Sequence, residues 1–105
     1  MKESDNRLFE LLNQLEGELK RVELWQVARP SEEALQSSQP FALDTLAPEQ
    51  WLQWIFLPKM REAIKVGAVP RGFVISSYFE QVWQGNAQHI GVVSLTKQID
   101  EQCKC

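Results

Sequence analysis

The residues of this chain that could do chemistry are four polar side chains that flank an aromatic segment: Asp44, Glu49, Tyr78 and Glu80. If they converged in one cavity, they would form a small-molecule-binding or catalytic pocket. The alternative role is structural, because polar side chains before a helix commonly hydrogen-bond loop amides and the helix N-terminus. We favour the structural role for Asp44 and Glu49. Residues 39–61 contain no nucleophile–base pair, metal-ligand set or phosphate-binding loop.

The single histidine and the two cysteines add little chemistry. His89 lies near the start of the last predicted helix, and catalysis there would need a nucleophile or carboxylate close by in space. A surface histidine is the favoured interpretation. Cys103 and Cys105 form a Cys-x-Cys pair without the other ligands of a zinc site. We interpret them as a flexible tail in a reducing compartment, and we expect no metal and no cofactor.

A weak nucleic-acid site is suggested by the one cluster of basic residues: Lys59, Arg61, Lys65 and Arg71. On a straight helix the first three would not share one face. The formal net charge is −3, with five basic against ten acidic residues before Pro58 and six against four from Pro58 onward. A solvated face is therefore favoured, and we expect no strong binding of nucleic acid.

Length and composition predict one domain over residues 1–105. Hydrophobic residues make up 44% of the 105 residues, which suffices for a single core. No run approaches the roughly 18 apolar residues that span a bilayer, and the polar N-terminus does not resemble a signal peptide. These features predict a cytoplasmic protein that does not enter a membrane.

Hydrophobic periodicity predicts helices throughout. The first is expected over residues 5–26, with leucines at every third or fourth position and Asp5 or Ser4 as its N-cap. Ser31 is the expected N-cap of a short helix that follows it, and a loop anchored by Phe41, Leu43 and Leu46 comes next. The central helix should run from Pro48 to about Val66 and end at Gly67. We expect a further helix over 78–84, capped by Ser76 or Ser77, and a last helix over 87–102 that buries Ile90 and Val93.

The central helix is unusually apolar, because Gln53 is the one polar residue between Trp51 and Pro58. Such a helix must be covered by the rest of the domain or by a partner. Burial of Trp51 and Trp54 in the core is favoured, and the alternative leaves one tryptophan partly exposed as an anchor for another protein. Pro58 is predicted to kink the helix, since it removes a hydrogen bond and clashes with the carbonyl of Trp54.

The same segment resembles a known family. The matching residues are Gln39-Pro40-Phe41, Asp44-Thr45-Leu46, Pro48, Trp51-Leu52-Gln53-Trp54 and Leu57-Pro58-Lys59-Met60. This order is similar to that of the YqcC-like family of small bacterial proteins. A second family feature, Pro-Tyr-x-Glu, is kept in part, with Ser77 at the proline followed by Tyr78 and Glu80.

The resemblance implies an all-α bundle of four to five helices, with a long ordered loop and a proline-kinked central helix. It also implies an association with tRNA pseudouridine synthase C. That enzyme needs a catalytic aspartate within a large mixed α/β domain, so we expect no synthase activity from a helical chain of 105 residues.

Our main hypothesis is a non-enzymatic helical interaction module, accessory to an RNA-modification enzyme, that binds a protein partner or itself. The candidate binding residues are Phe41, Asp44, Trp51, Trp54, Leu57, Pro58 and Tyr78. The alternative is a ligand-binding or catalytic bundle with its pocket near Asp44, Glu49 and Tyr78.

Overall fold

The computed structural model describes residues 3–104. The leucine-rich segment at the start of the chain forms α1 (Glu3–Arg21). The stripe that packs into the core consists of Leu8, Leu11, Leu12, Leu15 and Leu19, all buried. Asp5 lies inside α1 and is not its N-cap. It is buried, and its carboxylate pairs with Arg71 at 3.6 Å.

α1 ends at Arg21, before the predicted residue 26, because the chain turns at Glu23. Glu23 adopts a left-handed conformation, with φ of 63°. Its N–H donates to the carbonyl of Lys20 at 3.1 Å, and the N–H of Leu24 donates to the carbonyl of Leu19 at 2.8 Å. These two bonds define a Schellman motif, in which glycine usually occupies the left-handed position. A glutamate there gives the sequence no signal that the helix stops.

The connection to the central helix contains α2 (Glu32–Leu35) and a 3-10 turn (Pro40–Ala42). Ser31 caps α2 as predicted, its Oγ accepting the N–H of Ala34 at 3.2 Å. Leu46 is buried and holds the loop to the core. Leu43 does not, because it is exposed: the tight turn after Ala42 directs it outward.

The central helix has three consecutive parts: α3 (Pro48–Trp51), a π-helical turn (Leu52–Phe56) and α4 (Leu57–Val66). The N–H of Leu57 donates to the carbonyl of Leu52, one residue further back than in an α-helix. Pro58 follows as the second residue of α4. The irregularity predicted at Pro58 therefore takes the form of a wider turn just before the proline. Gly67, with φ of 71°, ends α4 as predicted.

The last two helices are α5 (Ser76–Val82) and α6 (Ile90–Gln102), and a 3-10 turn over Ala87–His89 leads into α6. α5 begins two residues earlier than predicted, and its N-terminus is capped by Asp100 of α6 instead of by its own serines. Among residues 3–104 there is no strand. The part of the chain that the structure describes is thus all-helical, with the central helix counted as one of five helices.

The core forms where α1 packs against α6 and α4, and α5 packs against α6. α1 and α6 are also in contact at Gly91, where an added Cβ would collide with the carboxylate of Glu18. The buried face of α6 is formed by Val92, Leu95, Thr96 and Ile99. Ile90, predicted to be buried, is 65% exposed because it lies off that stripe.

Candidate protein-binding site

Several aromatic rings meet where the loop, the central helix and α5 come together, and we call Phe41, Trp51, Phe56, Tyr78 and Phe79 the aromatic cluster. Phe41 stacks on Tyr78 with ring centroids 4.2 Å apart and lies 4.7 Å from Trp51. Trp51 stacks on Phe56 at 5.3 Å, a contact between residues five apart that the π-helical turn brings together. Three of the predicted binding residues, Phe41, Trp51 and Tyr78, therefore lie side by side, each half-buried.

The turn that presents Phe41 has an uncommon backbone. Phe41 and the next residue, Ala42, both have positive φ, at 57° and 49°. Side chains other than glycine rarely adopt this conformation, and it persists only where surrounding contacts enforce it. The ring contacts of Phe41 and the buried Ala42 supply that enforcement.

Trp54, Leu57 and Pro58 take three different positions on the central helix. Leu57 is fully buried, so it belongs to the core and cannot contact a partner. Pro58 is exposed, and Trp54, one turn before it, is half-buried. The indole Nε1 of Trp54 is shielded yet finds no hydrogen-bond acceptor among the described residues. Burying a hydrogen-bond donor without an acceptor costs free energy of folding, and Trp54 carries this cost although part of its ring is exposed.

Gln53 has a role that the sequence did not reveal. Its Oε1 accepts the backbone N–H of Gln26 at 2.8 Å, and its Nε2 donates to the carbonyl of Gln26 at 2.6 Å. The buried amide thereby satisfies both backbone groups of one loop residue. The available signal was that Gln53 is the one polar residue in an apolar run, which indicates a polar group with a specific buried partner.

The four residues proposed for a catalytic or ligand-binding pocket do not all come together. Asp44 accepts a hydrogen bond from the hydroxyl of Ser37, and Glu80 pairs with Lys97 at 3.4 Å. Glu49 and Tyr78 are neighbours: burial raises the pKa of the Tyr78 hydroxyl, and the charge of Glu49 raises it further. The pocket hypothesis thus loses two of its four members to local structural contacts.

Two of the four basic residues join helices together. Arg61 pairs with Glu16 of α1 at 2.7 Å, and Arg71 pairs with Asp5 and donates to the carbonyl of Gln102 at 3.0 Å. The hydrogen bond from Lys20, with Arg61 contributing, lowers the pKa of the Glu16 carboxyl. Lys59 and Lys65 are exposed. The arginines therefore serve the fold, which weakens the RNA-binding hypothesis.

His89 and Cys103 were both predicted on the surface, and both are buried. The ring of His89 packs edge-on against Trp83, with centroids 4.7 Å apart, because the 3-10 turn before α6 directs it inward. Cys103 continues the buried stripe of α6, and burial raises the pKa of its thiol. Cys105 lies outside the described residues.

A groove between α5 and α6 is a second surface feature, which the sequence did not reveal. It is open to solvent and has a volume of about 500 Å³, and we call it the α5–α6 groove. Apolar side chains of Trp83, Ala87, Ile90 and Val93 line it, together with the charged residues Glu80 and Lys97.

Among the described residues, no three His, Cys, Asp or Glu side chains lie close enough together to hold a metal ion. No helix among them is long and apolar enough to cross a membrane.

The sequence of this chain is similar to those of several known proteins. The chain matches the DUF446 family, described as "tRNA pseudouridine synthase C", over residues 7–102. It is 39% identical over 82 residues to tRNA pseudouridine synthase C of Pectobacterium carotovorum subsp. carotovorum, a match that covers 77% of this chain and 22% of that protein. The chain thus corresponds to less than a quarter of that relative's length.

Two further relatives are closer to this chain in size. An uncharacterized protein of Haemophilus influenzae is 39% identical over 77 residues, covering 72% of this chain and 73% of the relative. Protein YqcC of Escherichia coli K12 is 33% identical over 70 residues, covering 66% and 64%.

The solution NMR structure of YqcC from E. coli superposes with a TM-score of 0.83 at 25% identity, covering 96% of this chain and 88% of that one. Both the YqcC-like resemblance and the all-helical fold are thereby confirmed. The chain is a member of the DUF446 family.

Proposed function

We propose that this chain is a non-enzymatic binding module for a tRNA pseudouridine synthase of the C type. The observation that supports the partner is the Pectobacterium relative, which bears that enzyme's name and of which the similar segment makes up only 22%. A segment of this kind joined to a much longer chain in one protein is well placed to act as a separate subunit in another. Tethering two modules raises their effective concentration, which favours even a weak contact between their surfaces.

The surface we propose lies around the exposed side of the central helix and the aromatic cluster beside it. Trp54 is its centre, because it is a half-buried tryptophan one turn before the exposed Pro58. A partner would contact the exposed part of the indole ring, because the Nε1 atom itself is shielded, and tryptophan is enriched among residues that dominate binding energy. Pro58 is exposed one turn after Trp54, and the half-buried rings of Phe41, Trp51 and Tyr78 complete the proposed surface. Asp44 lies on the loop beside them.

Isothermal titration of the purified chain into the nuclease-treated synthase from the same organism tests this proposal. We expect a one-to-one complex that Trp54→Ala weakens by at least about tenfold. Trp54→Phe should weaken the complex less than Trp54→Ala does, since it keeps an aromatic ring of smaller area. Phe9→Ala serves as the control, because Phe9 is another partly exposed aromatic residue, 42% accessible, on α1.

The alternatives give different results. A Kd that Trp54→Ala leaves unchanged would show that the proposed surface is not the binding site. The absence of heat exchange at about 100 µM protein at two well-separated temperatures, which excludes an accidental zero of the binding enthalpy, would reject the proposed partner.

A further inference from the structure

The α5–α6 groove combines a projection and a recess within one surface. Ile90 stands at its edge and is 65% exposed, although it is a large apolar side chain. Beside it the groove, of about 500 Å³, has Trp83, Ala87 and Val93 on its walls. A recess of this size accepts apolar side chains from outside. The surface thus contains both a projecting apolar side chain and a recess that can receive one.

The charges at the edge of the groove are also balanced. Glu80 and Lys97 lie 3.4 Å apart, and both are about half exposed. In a two-fold contact between identical surfaces, each residue of one copy meets the symmetry-related surface of the other. A surface with one carboxylate and one ammonium group can then pair each with the opposite charge of the second copy.

We propose that two copies of this chain associate through the α5–α6 groove as a two-fold symmetric dimer. Ile90 of each copy enters the groove of the other and covers Trp83. Glu80 of each copy then faces Lys97 of the other. The apolar contact supplies most of the affinity, since exposed ion pairs contribute little, while the charges fix the alignment of the two copies. This inference is independent of the proposed synthase partner.

Sedimentation velocity of the purified chain from about 1 µM to 1 mM is the first test, a range that brackets weak to moderate dimers. We expect a monomer–dimer equilibrium whose Kd rises at least about tenfold in Ile90→Lys. Val66→Lys is the matched control: Val66 is 63% exposed on α4, outside the groove, and its replacement should leave the Kd unchanged. Circular dichroism should show that both variants remain folded.

A charge-exchange experiment tests the alignment. Glu80→Lys alone, or Lys97→Glu alone, places like charges at both contacts of the dimer and should weaken it. An equimolar mixture of the two variants should associate more tightly than either one, because each contact between unlike copies regains opposite charges. The ion pair within each copy stays broken in the mixture, so its restoration cannot explain this result.

A wild-type chain that stays monomeric up to 1 mM, a concentration at which even weak dimers form, would overturn the proposal. It would also be overturned by a dimer that Ile90→Lys leaves intact, or by a mixture that associates no better than its components.

Discussion

Asp100 in α6 caps the N-terminus of α5 by accepting the backbone N–H of Ser76 at 2.9 Å. Its second carboxylate oxygen accepts the N–H of Ile75 at 2.8 Å. N-caps usually come from the residue just before the helix, as Ser31 provides for α2. Here one helix supplies the cap of another, so the start of α5 depends on α6 being in place.

Removing this cap should destabilise the protein. Asp100→Ala leaves two helix N–H groups without their acceptor, and we expect the free energy of unfolding to fall by about 1–2 kcal/mol. Asp100→Asn keeps one acceptor oxygen and should cost less. Urea denaturation measures both values, with Glu101→Ala, an exposed neighbour, as the control. Equal losses for Asp100→Ala and Glu101→Ala would argue against the capping role.

Two helix ends with the same hydrogen-bond pattern give a second prediction. α1 has Glu23 in the left-handed position and α4 has Gly67, with φ of 63° and 71°. Glu23→Gly should therefore stabilise the protein by about 0.5–1 kcal/mol, the relief of backbone strain less the added freedom of the unfolded chain. Gly67→Ala should lose about 1 kcal/mol for the converse reason. Thermal unfolding checks the two signs, and a Glu23→Gly variant no more stable than wild type would contradict this account.

Two glycines within helices should gain different amounts of stability from alanine. Gly17 is exposed on α1 with open space around its Cα, so Gly17→Ala should gain about 0.5–1 kcal/mol of stability from helix propensity. Gly91→Ala places a methyl group against the carboxylate of Glu18 at the contact between α1 and α6. That carboxylate is the end of a flexible side chain, so it can rotate away at the expense of its ion pair with Arg21, and the gain in stability should be smaller than at Gly17. Urea denaturation measures both variants, and equal gains from Gly17→Ala and Gly91→Ala would show that Glu18 moves aside without cost.

The sequence predicted the helices best where apolar spacing alone decides the structure. The leucine stripe of α1 and the glycine stop of α4 are examples, because both signals are local. It failed where a distant residue or an uncommon backbone decides. Nothing near Ser76 reveals that Asp100 will cap it, and nothing near Glu23 reveals a left-handed turn. The candidate site divides in the same way: Phe41, Trp51 and Tyr78 meet, while Leu57 is in the core and the α5–α6 groove depends on how two helices pack.

Pro58→Ala tests the purpose of the π-helical turn. Pro58 fits its position at the start of α4 without strain. Its replacement by alanine gives the unfolded chain more conformational freedom, which lowers the free energy of unfolding by about 0.4–1 kcal/mol. The new N–H also favours a regular α-helical turn, which would move Trp51 away from Phe56. We expect lower stability and a changed tryptophan fluorescence spectrum. Higher stability with an unchanged spectrum would show that the turn does not depend on the proline.

The paired hydrogen bonds between Gln53 and Gln26 have a consequence for motion. Gln26 belongs to an irregular segment, where amide hydrogens normally exchange with solvent within seconds to minutes. Its amide is bound to a buried side chain of the central helix, so exchange requires that contact to open. The segment after α1 should therefore open together with the central helix, and Gln26 should exchange far more slowly than the exposed Val27 beside it.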